Sequence, residues 1–207
     1  MELYATGFNA WNQLIFDPSA VKDEPDDIFS FTKILGAQRL DRVVSQMCYT
    51  AGREVDEPSP ADVPGLVSDL SDIGEPIKKV VAGGYTLAAL TEGGGLYLWG
   101  MQSPGSQSRH QAFTDLSGIP NYVEVDGEKD VQDIALGESH AIALTTDGCV
   151  YVVGDNTNGQ LGLGSDSKGP VESWLKMTFT PPTDWEIVGV EAGPRSSFIV
   201  TAKAKPN

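Results

Sequence analysis

VQDIALGESHAIALTTDGCVYVVGDNTNGQLGLG, residues 131–164, decides the reading of this chain because its pattern recurs about 54 residues upstream. Gly83, Ala89, Leu90, Thr91, Gly94, Tyr97 and Gly100 take the relative places of Gly137, Ala143, Leu144, Thr145, Gly148, Tyr151 and Gly154, with no gap between the copies. In the better copy, 141–145 and 149–153 are apolar, strand-favouring runs joined by Thr146-Asp147-Gly148. Asp-Gly between such runs signals a tight antiparallel hairpin. The earlier copy turns through Glu92-Gly93-Gly94-Gly95, which still offers a residue free to adopt positive φ. Residues 131–136 read as a preceding strand that bends at Gly137, and 159–164 as a glycine-rich exit loop. Each unit is then three or four short strands in one small twisted sheet, which cannot bury both faces alone. Successive copies must stack, and radial stacking of antiparallel sheets gives a β-propeller. The β-rich, period-two pattern excludes a helical solenoid.

A third, partial copy occupies 185–201 (WEIVGVEAGPRSSFIVT), with Gly193 at the place of Gly137 and Thr201 at that of Thr145. Its missing half stands at the other end of the chain. There 2–14 (ELYATGFNAWNQL) matches 149–161, placing Tyr4, Gly7, Asn9, Gln13 and Leu14 on Tyr151, Gly154, Asn156, Gln160 and Leu161. The termini read as two halves of one blade, so the first and last strands are expected to pair, since an unpaired terminal edge would invite aggregation. A weak fourth copy at 42–51 (RVVSQMCYTA) has inner-strand character without a second hairpin. The expectation is an all-β propeller of about four units, one domain over 1–207, with a divergent, partly irregular segment at 17–76.

The run from Ile134 through GESHAIAL, TTDG, CVYVVG and NTNGQLGLG resembles the repeat of the regulator of chromosome condensation family. Members commonly form seven-bladed propellers, and 207 residues are too few for seven units of about 50, so the resemblance is to a shortened member. It implies a non-enzymatic adapter that presents loops on a propeller face, in chromatin-associated, ubiquitin-pathway or RNA- and translation-factor-modifying assemblies. The alternative it implies is guanine-nucleotide exchange on a small GTPase, which the founding member performs with loops on one face; a nucleotide-release assay discriminates the two. For His140 the resemblance implies a buried, hydrogen-bonded ring that ties neighbouring strands together.

A formal net charge of −15 argues against wrapping nucleic acid, because phosphate affinity comes from clustered Lys and Arg. It favours a protein partner with a basic surface, with acid retained merely for solubility as the bland alternative. No basic-then-apolar leader and no apolar run long enough for a bilayer stand in the sequence, which leads to the expectation of an intracellular protein, cytoplasmic or nuclear, with no membrane partner. Cys48 and Cys149 read as ordinary buried thiols.

The tempting motifs fail on context. Gly137-Glu138-Ser139-His140-Ala141 has the spacing of a nucleophile elbow, but a strand follows where that device needs a helix. Residues 155–159 (DNTNG) approach an acidic calcium loop with the glycine one position early, and a turn closed by Asx hydrogen bonds explains them better. The glycines at 159–164 lack the Lys-Ser or Lys-Thr of a phosphate cradle. Two histidines, His110 and His140, cannot assemble a histidine-rich metal site, so no catalytic, cofactor or metal residue is expected. Trp99, on a repeat strand, is expected in the inter-blade core. Partner contact is expected from two insertions, 102–122 and 165–184, through Arg109, His110 and Trp174, the last read as lying in a loop.

Overall fold

Three antiparallel four-stranded sheets carry the repeats, each opening on a strand that begins at residue 77, 131 or 185, with the equivalent Ile77, Val131 and Ile187 paired to Thr91, Thr145 and Thr201. The computed structural model describes residues 1–9, 14, 26–37, 70, 72–100, 112–113, 116–127, 129–167 and 169–205. The chain enters on β1 (Glu2–Gly7) and β2 (Ile28–Gly36). The first sheet follows as β3 (Ile77–Gly83), β4 (Thr86–Thr91), β5 (Leu96–Gly100) and β6 (Asn121–Tyr122). The second holds β7 (Val131–Leu136), β8 (His140–Thr145), β9 (Val150–Gly154) and β10 (Val171–Lys176). The last sheet joins the two ends of the chain in the order β11 (Trp185–Gly193), β12 (Ser196–Lys203), β1, β2.

The expected pairing of the termini is present. β1 runs antiparallel to β12 in unbroken register from Glu2↔Thr201 to Gly7↔Ser196, with Ala5 opposite Phe198. The hairpins also fall where the turn chemistry puts them: Gly94 and Gly148 adopt φ of 90° and 78° in the two tight turns. Each inner strand carries an irregularity near its start, between Ile77 and Lys79, Val131 and Asp133, and Ile187 and Gly189. Repeated bulges of this kind sharpen the local twist of a strand and are a recurring feature rather than an accident of one copy.

The sheets pack face to face in the order first, second, last, with β7 contacting β3 and β4 on one side and β11 on the other. Between the first two lies a core of Ala88, Leu90, Leu96 and Leu98 against Ile134, Leu136, Tyr151 and Val153. Ile142, Leu144, Val150 and Val152 pack against Val190, Ile199 and Tyr4 in the next interface. The GQLGLG exit loop joins second and last sheets: Thr6 Oγ1, fully buried, donates to the carbonyl of Gly159 at 2.7 Å, and the amide of Gly164 donates to that of Phe29 at 2.9 Å.

Within the divergent segment 17–76, β2 forms the outer strand of the last sheet. One expectation needs correction: 165–184 is not a loop insertion, since it contributes β10, the outer strand of the second sheet, and 102–122 ends in β6. Each unit therefore has four strands, the outer ones being the least repeat-like in sequence. The weak copy at 42–51 lies outside the described residues, so the described units number three.

Candidate protein-docking surface

At one end of the sheets the loops after β3, β7 and β11 interlock. The Glu138 amide donates to the Pro194 carbonyl at 3.0 Å, and a Cβ on Gly137 would stand 2.7 Å from the carbonyl oxygen of Gly193. His140 opens β8 beneath this junction, 1% exposed. Its Nε2 lies 3.0 Å from Ser197 Oγ and 3.3 Å from the Ser196 carbonyl of the last sheet. A carbonyl neighbour requires a donor, so Nε2 carries the proton and the neutral ring bridges two blades. Nδ1 has no hydrogen-bond partner, so the expectation of a fully satisfied ring holds for one nitrogen only. Burial, opposed by the Ser196 hydrogen bond and by Asp155, pushes the imidazole down from 6.5 to about 4. Ser139, beside it, precedes a strand, as β8 shows, so the elbow geometry is absent. At the rim of this end Arg195 faces Glu138 at 3.7 Å and lies 6.0 Å from the Phe8 ring centroid.

The glycine-rich exit is closed by Asx hydrogen bonds, as expected. Asp155 Oδ1 accepts from the Thr157 amide at 3.1 Å. Asn156 Oδ1, fully buried, accepts from Leu161 N at 2.9 Å, and the matched Asn9 accepts from Leu14 N at 3.0 Å.

The opposite end, where the hairpins turn, has another character. Residues leading into β3 and β7 and the two tight turns bring Glu75, Glu92, Glu124, Asp126, Asp130 and Asp147 to this end, all exposed. Lys78, Lys129 and Lys176 are lysines at this end of the two sheets, and Lys78 Nζ donates to the Gln132 carbonyl at 2.7 Å. Lys129 is bound up: its Nζ is 2.9 Å from Asp147, 3.4 Å from Asp126 and 3.0 Å from Tyr151 Oη. Tyr151 donates to Asp126 at 2.6 Å. That phenol and the lysine hold Asp126 below the usual carboxylate range, and the Thr145 hydroxyl with Lys129 does so for Asp147. Both carboxylates stay charged at neutral pH, and the end is a net-negative rim.

Trp174 is not in a loop. It sits on β10, half-buried, with its ring 5.8 Å from Phe113 and its Nε1 buried without a hydrogen-bond partner. The strand was hidden from the sequence because β10 alternates only loosely. Trp99 is on β5, as expected, but half-buried on the face turned away from the second sheet and outside the packed interface. Arg109 and His110, the other two expected contact residues, lie outside the described residues. The acidic rim was missed as a site because the net charge gives its sign but not its address.

Residues 131–160 and 147–200 each match the family model of the regulator of chromosome condensation (RCC1) repeat. The chain belongs to the regulator of chromosome condensation repeat family. It is 34% identical over 142 residues to the protein RCC2 homolog of Danio rerio, covering 67% of this chain and 26% of that one. It is 32% identical over 150 residues to the RCC1 domain-containing protein RUG3, mitochondrial, of Arabidopsis thaliana, covering 72% and 32%. Among solved structures, that of Prp20p from Saccharomyces cerevisiae superposes with a TM-score of 0.49 at 21% identity, covering 63% of this chain and 32% of that one. The chain thus spans a third or less of the length of these relatives. It is a β-propeller of this repeat family, and within the chain the hairpins β4–β5 and β8–β9 recur in the same register.

Proposed function

We propose that the chain is a non-enzymatic protein–protein interaction module whose hairpin-turn end binds a basic protein surface. The observation that carries this reading is the clustering of six exposed carboxylates, on two packed sheets, around Lys78, Lys129 and Lys176, of which Lys129 is already neutralised. A fixed negative rim on a rigid scaffold raises the association rate of a cationic partner and orients it, without an enclosed pocket. Repeat-family membership supports the same role, since the stacked blades form a scaffold and the loops carry the recognition. An intracellular setting, cytoplasmic or nuclear, belongs to this reading.

The test uses a lysine-rich peptide as probe, with binding followed against salt. Glu92→Lys and Glu124→Lys, neither of them among Asp126 and Asp147 that pair with Lys129, are expected to weaken binding by about tenfold each at low ionic strength, with the difference shrinking above about 0.15 M salt. Binding that is indifferent to both substitutions and to salt overturns the proposal.

A further inference from the structure

Between β10 and β11 the chain reads Met177-Thr178-Phe179-Thr180-Pro181-Pro182-Thr183-Asp184. Proline has no N–H to give a sheet, and it drives the residue before it into extended backbone. Residues 177–182 accordingly lie in no strand or turn, and 183–184 form the turn into β11. The stretch is pinned through alternate residues. Met177 is buried, and its amide donates to the Val150 carbonyl at 3.0 Å. Phe179 is half-buried, its ring 5.1 Å from that of Tyr4 and 6.0 Å from that of Phe31. At the far side the Trp185 amide donates to the Pro182 carbonyl at 3.0 Å. Thr178 and Thr180, set between these anchors, are exposed.

Among the described residues Thr180 is the one serine or threonine that a proline follows. Its hydroxyl is exposed on backbone that Pro181 and Pro182 already hold extended, and the peptide on its C-terminal side offers no N–H. That combination suits a kinase cleft that takes its substrate as an extended strand and asks for no donor from the residue after the acceptor.

We propose that Thr180 is a phosphorylation site for a proline-directed protein kinase, and that its phosphate tightens the grip of the hairpin-turn end on a basic partner. The γ-phosphoryl group of ATP passes to Thr180 Oγ1. The bond from its phosphorus to the bridging oxygen breaks and ADP leaves, the Oγ1–P bond forms, and the hydroxyl proton goes to the catalytic base of the kinase. Phosphothreonine carries a charge of about −1.5 to −2 at pH 7. The stretch starts against Val150, three residues beyond Asp147, so this charge enters on the flank of the acidic rim and extends it toward the last sheet. The effect on binding rests on the reading of that rim as a dock for a basic surface, whereas the site itself does not.

The test incubates the full folded chain with a proline-directed kinase and ATP, maps phosphate by mass spectrometry, and uses a peptide of residues 174–187 as reference. Thr180 in the folded chain is expected to gain phosphate at a rate within about threefold of the peptide, since no local unfolding is needed to present it. Pro181→Ala is expected to slow the reaction at least about tenfold. Thr180→Ala, at an exposed position, is expected to abolish it and to melt with the parent. Phosphate on Thr183 in place of Thr180, or a folded chain slower than the peptide by more than about tenfold, overturns the site. Binding is then read in a chain carrying Ser59→Ala and Ser103→Ala, which removes the other two acceptors that precede proline. Full phosphorylation is expected to tighten a lysine-rich peptide at least about threefold at low ionic strength, with the gain shrinking above about 0.15 M salt. Unchanged affinity, in a chain whose Glu92→Lys variant still binds less, overturns the regulatory role. A Glu92→Lys variant that binds as the parent does sinks the docking reading instead, and the phosphate map still decides the site.

Discussion

His140→Gln separates the buried imidazole from every other titrating group in the chain. Glutamine keeps a side-chain N–H able to reach Ser197 Oγ but cannot ionise, so at pH 7 the substitution is expected to cost only about 1–2 kcal/mol of imperfect packing and hydrogen-bond geometry. Its effect on pH dependence is larger. The folded-state pKa is depressed to about 4 from 6.5, chiefly by burial. The unfolded chain therefore takes up the proton first, and acidification favours unfolding. The contribution of the neutral ring is complete above pH 6.5 and is lost as the pH falls toward 4, in an amount of about 3 kcal/mol for a depression of this size. Carboxylates with lowered values, such as Asp126, lose their contributions at lower pH and in both proteins alike, so the difference between the two profiles isolates the ring. Urea unfolding at pH 7, 6, 5 and 4 measures it. Wild type is expected to lose its advantage on acidification, with the two stabilities converging and then crossing. Parallel profiles over that range would refute the argument that a neutral His140 bridges the blades.

Further substitutions probe the stacking. Gly154→Ala forces a side chain onto φ of 106° with its Cβ 2.3 Å from the Ser139 carbonyl, and is expected to cost about 3 kcal/mol or more. Gly148→Ala, at φ of 78° with open space around it, costs only about 1 kcal/mol, and equal melting temperatures for the two would show that close approach is not the deciding factor. Asp133 accepts from Lys79 at 2.9 Å and from the Val190 amide at 3.0 Å, one partner in each neighbouring sheet. Asp133→Ala is expected to destabilise by about 1–2 kcal/mol, and a double-mutant cycle with Lys79→Met should assign less than about 1 kcal/mol to the partly exposed ion pair. Thr6→Val removes the buried hydroxyl that stands 2.6 Å from the Ile28 carbonyl and 2.7 Å from that of Gly159, which keeps the Gly162 amide as donor, at an expected cost of about 1 kcal/mol, detected as faster amide exchange in the 159–164 loop. Unchanged exchange there would separate the loop from the last sheet.

The hairpins, their turns and the split blade were legible because they rest on local chemistry that repeats. Asp147-Gly148 and the Glu92 to Gly95 run name their turns, and the matching of 2–14 with 149–161 places β1 beside β12. The outer strands were not legible, since β2, β6 and β10 answer to whatever covers each blade and share no pattern across copies. Trp174 shows the consequence: without its strand it reads as a loop anchor, whereas β10 holds its ring against Phe113.

From the residues alone came the antiparallel units and the meeting of the chain ends, because alternation and turn propensity act over a few neighbours and recur in each copy. Only the packed sheets decided that His140 bridges two blades with one nitrogen and that the acids gather at the hairpin end. Those outcomes depend on which faces meet across intervals of fifty residues and more, and a one-dimensional pattern carries no term for that distance.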